Sequence, residues 1–319
     1  MKIFIAGATG VIGRRLVPRL VRRGHEVAGT TRTPAKLERL RALGAEPVLL
    51  DALDEAAVKE AVAAAAPEVV VHQLTAIPDA VNPRRLDRDF AETNRLRTEG
   101  TDYLLEAARA ACARRFVAQS FAAWVYARTG GPIKTEDDPI ETDPPASVRE
   151  TLAGILHVER AVADASDEGI ALRYGGFYGP GTSIGDGAPM LDMIRKRRFP
   201  IVGHGGGIWS FIHIDDAASA TAAAIERGAP GIYNVTDDEP VPVATWLPAL
   251  AEALGVGAPW RVPVWLARAL IGEAGVAMMT EIRGASNAKA KGELDWHPTY
   301  ASWREGFRWG SDSVLRRRA

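Results

Sequence analysis

A single cysteine, Cys112, stands in 319 residues, so no disulfide can form within the chain. It falls in the helical pattern Leu104-Leu105-Glu106-Ala107-Ala108, which predicts a small buried thiol rather than a reactive one. No apolar run approaches the roughly 18 residues that a membrane span needs. The first six residues are too few for a signal sequence and are already used as a strand, so a cytoplasmic protein without a membrane partner is expected. Charge of one sign is not in surplus: 39 Lys and Arg face 40 Asp and Glu. Without excess positive charge, nucleic acid is not an expected partner. Internal repeats and low-complexity tracts are absent, as is the spacing of a zinc site or a nucleophile triad. What remains is an ordinary globular composition, long enough for one large α/β unit or two packed lobes.

What is present opens the chain. Lys2-Ile3-Phe4-Ile5-Ala6 reads as a strand running straight into Gly7, Gly10 and Gly13, after which a helix is expected. Such a turn aims free backbone N–H groups at one point, where a pyrophosphate can sit. Gly7 permits the tight turn, Gly10 lets phosphate approach the backbone, and Gly13 lets the helix lie close on the strand. Thr9, Val11 and Ile12 complete the loop. Pro18 falls inside the expected helix and costs up to about 3 kcal/mol unless the helix kinks.

Strand-like segments at 2–6, 26–30, 47–50, 69–72, 115–119 and 170–174 alternate with helical patterns such as 58–66 and 101–111. Short apolar strands separated by helices predict an α/β fold with a doubly wound parallel sheet. After Tyr174 the texture shifts to glycine-rich loops, then to frequent Pro and Trp. Residues 1–176 and 211–239 read as a dinucleotide-binding domain. Residues 177–210 and 240–319 read as a smaller, interleaved substrate lobe. The basic stretch 316–318 reads as a solvated tail.

Gly7-Ala8-Thr9-Gly10-Val11-Ile12-Gly13, Asp51, Leu172-Arg173, Tyr178-Gly179-Pro180-Gly181 and Phe211-Ile212-His213-Ile214-Asp215-Asp216 occur in a telling order. They resemble the extended short-chain dehydrogenase/reductases, the NAD(P)-dependent epimerase/dehydratase group, over nearly the whole chain. Ser302-Trp303-Arg304-Glu305-Gly306-Phe307 is similar to that family's C-terminal helix. The resemblance implies a Rossmann fold and a Ser or Thr, Tyr and Lys acting together, the Tyr as general acid/base. The family's Tyr precedes its Lys by four residues. Alignment on Glu159 puts Thr151 at the Tyr position and Ile155 at the Lys position, and the family's catalytic hydroxyl falls on Ala122. None of the six tyrosines has a lysine four residues on. The chain resembles an atypical member lacking the Tyr-x-x-x-Lys pair.

NAD-preferring members carry an acid after the second strand; here the residues are Gly29-Thr30-Thr31-Arg32. Arg32 can meet a 2′-phosphate through a bidentate contact, so NADP is expected over NAD. The resemblance also implies cofactor contacts from Asp51 and Ala52 at the adenine, Asp51 being alternatively a helix N-cap. Leu74 and Thr75, and the backbone of Tyr174, Gly175 and Phe177, are expected near the nicotinamide. Trp209 stands where nucleotide-sugar members carry an Arg that grips diphosphate, and Gly176 where they carry Asn. Gln73, Phe121, Trp124, Met190 and Trp209 are the expected substrate-binding residues, around an apolar or aromatic small molecule.

Ser120, Tyr126, Thr151 and Tyr174 carry hydroxyls near the expected nicotinamide, and without an ammonium nearby each is a poor base at neutral pH. Ser120, Tyr126 and Thr151 are the candidate catalytic residues, with Ser120 and Tyr126 polarising the substrate oxygen. No metal is expected, because His213, Asp215 and Asp216 alternate across a strand and helix start, where Asp215 or Asp216 reads as an N-cap. His72 reads as structural, His157 as outside the cleft, and the acidic clusters 136–138 and 237–239 as loop surface. The sequence therefore predicts an NADP(H)-dependent oxidoreductase acting on a carbonyl, enone or alcohol of a small apolar metabolite. The alternatives are a catalytically silent NADP(H) sensor or scaffold, and a sugar-nucleotide epimerase or dehydratase. The expected partner is the small-molecule substrate, with a homodimer left open.

Overall fold

The computed structural model describes residues 1–78, 80–165 and 168–307. The chain begins with β1 (Lys2–Ala6), β2 (Glu26–Thr31), β3 (Glu46–Leu49), β4 (Val69–His72) and β5 (Arg115–Phe121). After the short β6 (Ile133–Lys134), β7 (Gly169–Tyr174) returns to the same sheet. Four short strands then lie outside it: β8 (Gly176–Tyr178), β9 (Ile201–Val202), β10 (Ile208–Trp209) and β11 (Phe211–His213). With β12 (Gly231–Val235) the seven-stranded sheet is complete, in the order β12-β7-β5-β4-β1-β2-β3. Every pairing in it is parallel. Because β1 sits between β2 and β4, the winding reverses there, and a crevice opens at the carboxyl ends of those strands.

Helices follow the strands, most of them on the two faces of the sheet: α1 (Gly13–Arg22), α2 (Leu37–Ala42), α3 (Glu55–Ala65), α4 (Leu86–Asp89), α5 (Ala91–Arg97), α6 (Glu99–Ala110), α7 (Arg149–Ala165), α8 (Pro189–Arg195) and α9 (Ile214–Glu226), with α4 and α8 packed in other clusters. Strand alternation divides the core. Ile3 and Ile5 pack with Leu16 and Leu20 of α1 and the alanines of α9, while Phe4 packs with Val58 of α3, Leu104 of α6 and Val162 of α7. Sealing Phe4 on a strand covered on both faces contributes about 2–3 kcal/mol. α1 runs through Pro18 as one helix from Gly13 to Arg22.

The C-terminal part adds β13 (Val241–Pro242), α10 (Val243–Ala253), β14 (Arg261–Val262), α11 (Val264–Thr280), β15 (Gly284–Ala285) and α12 (Ala288–Glu293). A separate aromatic core holds Tyr178, Phe211, Trp246, Trp303 and Phe307, with Leu191 and Ile194 of α8. Ala290, Leu294 and Trp296 instead join the core beneath α9. A further cluster of Trp124, Val125, Tyr126, Leu152, Ile155 and Ala277 lies between α7 and α11. Cys112 corrects an expectation: it is exposed, with φ +55°. α6 has ended by then, its closing turn made by Cys112 N–H to the Arg109 carbonyl and Ala113 N–H to the Ala108 carbonyl. Residues 316–318 lie outside the described residues.

Candidate active site

The glycine turn is built for a close ligand. Gly7 has φ +94°, and a Cβ there would lie 2.6 Å from the Gln73 carbonyl oxygen. A Cβ at Gly13 would lie 2.4 Å from the Ala8 carbonyl oxygen, so helix and turn touch through backbone. At Gly10 the nearest atom is the Gly7 carbonyl oxygen at 3.2 Å, and the Gly10 amide donates to that oxygen at 3.0 Å. Ile12 caps α1 without a side-chain acceptor, and the first turn carries no acid. The positive end of the helix is therefore left for an external anion. This cradle fits a dinucleotide pyrophosphate.

At the ends of β2 and β3, Thr30 Oγ1 accepts from the Gly7 amide at 3.1 Å, and Thr9 Oγ1 lies 3.5 Å from Thr31 Oγ1. Arg32 forms an exposed ion pair with Glu92. Asp51 makes an Asx turn to the Leu53 amide at 3.0 Å. The N-cap of α3 is Asp54, which accepts from Ala57 N–H, so capping does not fall to Asp51. Ala52 is buried beside it.

Beyond β4, His72 is buried and held neutral. Desolvation pushes its pKa down to about 4. Its Nε2 lies 3.2 Å from the Leu96 carbonyl and Nδ1 accepts from Leu74 N–H, a structural role. The Gln73 amide donates to the Tyr174 hydroxyl at 3.2 Å. Gln119 donates to the Leu74 carbonyl, and Thr75 follows on the exposed loop.

Ser120, Arg173 and Asn234 stand side by side on β5, β7 and β12. Arg173 Nε and Nη2 each reach a Glu159 carboxylate oxygen at 2.7 Å, and Ser120 Oγ donates to the same carboxylate at 2.6 Å. Arg173 Nη1 donates to the Tyr126 hydroxyl at 3.0 Å, whose own proton goes to Asn234 Oδ1 at 2.6 Å. Burial pushes Tyr126 up to about 12. Ser120 and Tyr126 were expected to polarise a substrate oxygen, but both protons are donated inside this closed network. Tyr174 differs likewise: its hydroxyl is buried between Thr221 and Gln73, and desolvation pushes it up to about 12. Thr151 is the exception. Its Oγ1 accepts from Asn94 at 3.4 Å and donates to no described residue.

Around this point the aromatic residues divide. Trp124 is sealed in the cluster under α7, while Phe121 packs at its edge. Trp209 donates Nε1–H to the Met278 carbonyl at 2.9 Å and stacks 4.9 Å from Trp246. Met190 is partly buried against the aromatic core, and the rings of Tyr174 and Phe177 are 5.4 Å apart. A Cβ at Gly175 would lie 2.7 Å from the Ser210 carbonyl oxygen, which fixes the chain as it leaves β7.

The remaining titratable groups settle elsewhere. His213 itself caps α9 through Asp215 N–H, while Asp215 pairs with Arg15 and Asp216 accepts from the Thr299 and Tyr300 amides. The N-cap was expected at one of these acids; the ring nitrogen takes it because both carboxylates are engaged. Asp237, expected on the surface, is buried, and desolvation raises its pKa well above the carboxylate range. Glu136 accepts from Asn234 N–H and is half-buried. His157 pairs with Asp102 at 2.7 Å. Among the described residues no group of three His, Cys, Asp or Glu could hold a metal, and no helix is long and apolar enough to cross a membrane. The sequence reading missed Asn94 and Arg97, both buried on α5. Residues 93, 94, 96 and 97 form one helix face, but only Leu96 in it is apolar, so the sequence carried no signal that the face is buried.

A parallel sheet wound both ways around a glycine turn, with a cleft at the carboxyl ends, defines a dinucleotide-dependent enzyme of the Rossmann type. The model of the NAD dependent epimerase/dehydratase family matches residues 3–236, and the chain belongs to that family. It is 46% identical over 315 residues to a Streptomyces 3-diazoavenalumate denitrifying reductase, covering 96% of this chain and 99% of that one. Among solved structures, UDP-glucose 4-epimerase of Thermotoga maritima, with UDP-glucose, superposes with a TM-score of 0.78 at 20% identity, covering all of both chains. A human epimerase family protein with NADPH gives 0.74 at 22%, covering 98% of this chain and 99% of that one. The chain is an NAD(P)-dependent oxidoreductase, and the alternative of a silent sensor gives way to this.

Proposed function

We propose that the chain is an NADP(H)-dependent reductase that delivers hydride to an aromatic substrate whose reacting group takes no proton from the protein. The substrate class favoured is an arenediazonium, whose diazo group leaves as dinitrogen. One observation carries the reading: Ser120, Tyr126 and Tyr174 all have their hydroxyls committed to buried partners. Reduction of a ketone would leave an alkoxide in need of a proton; these groups are poor donors, and Thr151, the one uncommitted hydroxyl, is an alcohol with no lysine bonded to it to make it an acid. When bound, the reduced nicotinamide supplies hydride; with the diazonium cation this gives the arene C–H bond, dinitrogen and oxidised cofactor, and the C–N bond breaks without a proton being consumed. The diazo substrate named for the 46% identical relative supports this class.

The residues divide the work accordingly. Gly7, Thr9, Gly10, Val11, Ile12 and Gly13 would hold the pyrophosphate, and Asp51 with Ala52 the adenine. Arg32 would exchange Glu92 for the 2′-phosphate, a stronger, bidentate partner. Leu74, Thr75 and the backbone of Tyr174, Gly175 and Phe177 would flank the nicotinamide. Gln73, Phe121, Met190 and Trp209 would border the substrate ring, with Trp124 packed behind them.

The test uses the whole protein, NADPH deuterated at C4 and a benzenediazonium salt, with a protein-free control. Deuterium on the ring carbon that carried nitrogen, with dinitrogen released in equal amount, is the expected result. Enzyme-dependent turnover of aryl ketones with none of the diazonium would contradict it.

A further inference from the structure

Arg97 ends α5 and is 7% exposed, yet it makes no ion pair among the described residues. Its one hydrogen bond runs from Nη1 to Asn94 Oδ1 at 3.4 Å. Among the described residues Nε and Nη2 find no acceptor, and no aromatic ring receives the guanidinium. The stem packs on α7, where a Cβ at Gly154 would lie 3.6 Å from both Arg97 Cβ and Cδ.

Among the described residues the surroundings supply no counter-charge. Asp87 accepts from the Glu150 and Thr151 amides, so it caps α7 instead. Glu92 is paired with Arg32. His72, whose Nε2 meets the carbonyl next to Arg97, is neutral. Desolvation lowers Arg97 to about 10, which leaves it a cation at neutral pH. A largely buried cation with a single long hydrogen bond is costly, and its open edge points to a partner that arrives with a ligand.

The place is informative. Through Asn94, Arg97 adjoins Thr151 on the first turns of α7, and through Leu96 it adjoins the carboxyl end of β4. The glycine turn that would hold the cofactor pyrophosphate meets the chain at Gln73, just past β4, and among the described residues no hydrogen bond joins Arg97 to that turn. We propose that Arg97 anchors the substrate: its free Nε and Nη2 edge receives a carboxylate carried by the aromatic ring. A planar fork of two N–H donors matches a carboxylate in both geometry and charge. The inference rests on the reductase reading for the aromatic ring, but its test needs no turnover.

Cinnamate and cinnamamide are titrated calorimetrically into the NADP-loaded protein. Cinnamate should bind at least tenfold more tightly than the amide. Arg97→Gln should erase that preference and Arg97→Lys should keep part of it. Equal binding of the two, binding of neither, or a preference that survives Arg97→Gln would overturn the assignment. A second measurement separates anchoring from scaffolding: Arg97→Met should raise the melting temperature of the unliganded protein, since it removes an unpaired buried charge. A fall would make Arg97 a structural residue and overturn the proposal. If the acid preference holds but no diazonium turns over, the reductase reading fails and the carboxylate site stands.

Discussion

Glu159 and Arg173 form a bidentate ion pair at 2.7 Å, with side chains 4% and 2% exposed, linking α7 to β7. The pair also orders Ser120 and Tyr126, so one charged contact fixes the carboxyl ends of two strands. Breaking it strands a buried guanidinium. Glu159→Gln should cost about 3–5 kcal/mol in urea unfolding. A loss below about 1 kcal/mol would mean that the pair is dispensable.

Tyr126 then becomes a structural phenol. Tyr126→Phe should lose about 1–3 kcal/mol of stability, because Asn234 and Arg173 each lose a buried partner. Its kcat should fall less than about threefold. Steady-state rates decide this, and a hundredfold loss would restore Tyr126 as the proton donor.

Arg32 and Glu92 offer a test of cofactor choice. Arg32→Ala should weaken NADPH by about 1.5–3 kcal/mol, roughly 10- to 150-fold, and leave NADH unchanged. Glu92→Gln should tighten NADPH by freeing the guanidinium. Fluorescence titration reads both, and equal affinity of the natural chain for NADPH and NADH would refute the 2′-phosphate contact.

His72 sets an acid limit. Its folded pKa of about 4 lies below the ordinary value of 6.5. Between these values the unfolded chain binds a proton that the folded chain does not, so stability falls as pH drops from 6.5 to 4. The loss is about 3 kcal/mol at full extent. Unfolding curves of the natural chain and His72→Gln at pH 7 and pH 4.5 should show the variant losing less. Parallel losses would contradict the assignment.

Much of this architecture was legible in the residues. The apolar runs at β1 and β4 and the glycine spacing are local signals, and both strands lie between the residues expected. Ends shifted where pairing extends a strand: β5 runs on to Phe121 because Ser120 and Phe121 pair with Arg173 and Tyr174. Side-chain partners were harder to read. Tyr126 meets Asn234 across 108 residues, and no local pattern encodes that contact. Asp237 looked like surface because it sits in an acidic run, but its amide donates to the Phe211 carbonyl and draws it inside. Arg97 was hidden for a related reason: an arginine among arginines looks solvated until the helix face is known.

The most direct measurement is the pH and solvent-isotope dependence of turnover with a diazonium substrate. The account predicts kcat/KM flat from pH 6 to pH 9, within about twofold, and a deuterium oxide effect near 1, because no protein group moves a proton. A bell-shaped profile with a solvent isotope effect above about 2 would contradict it.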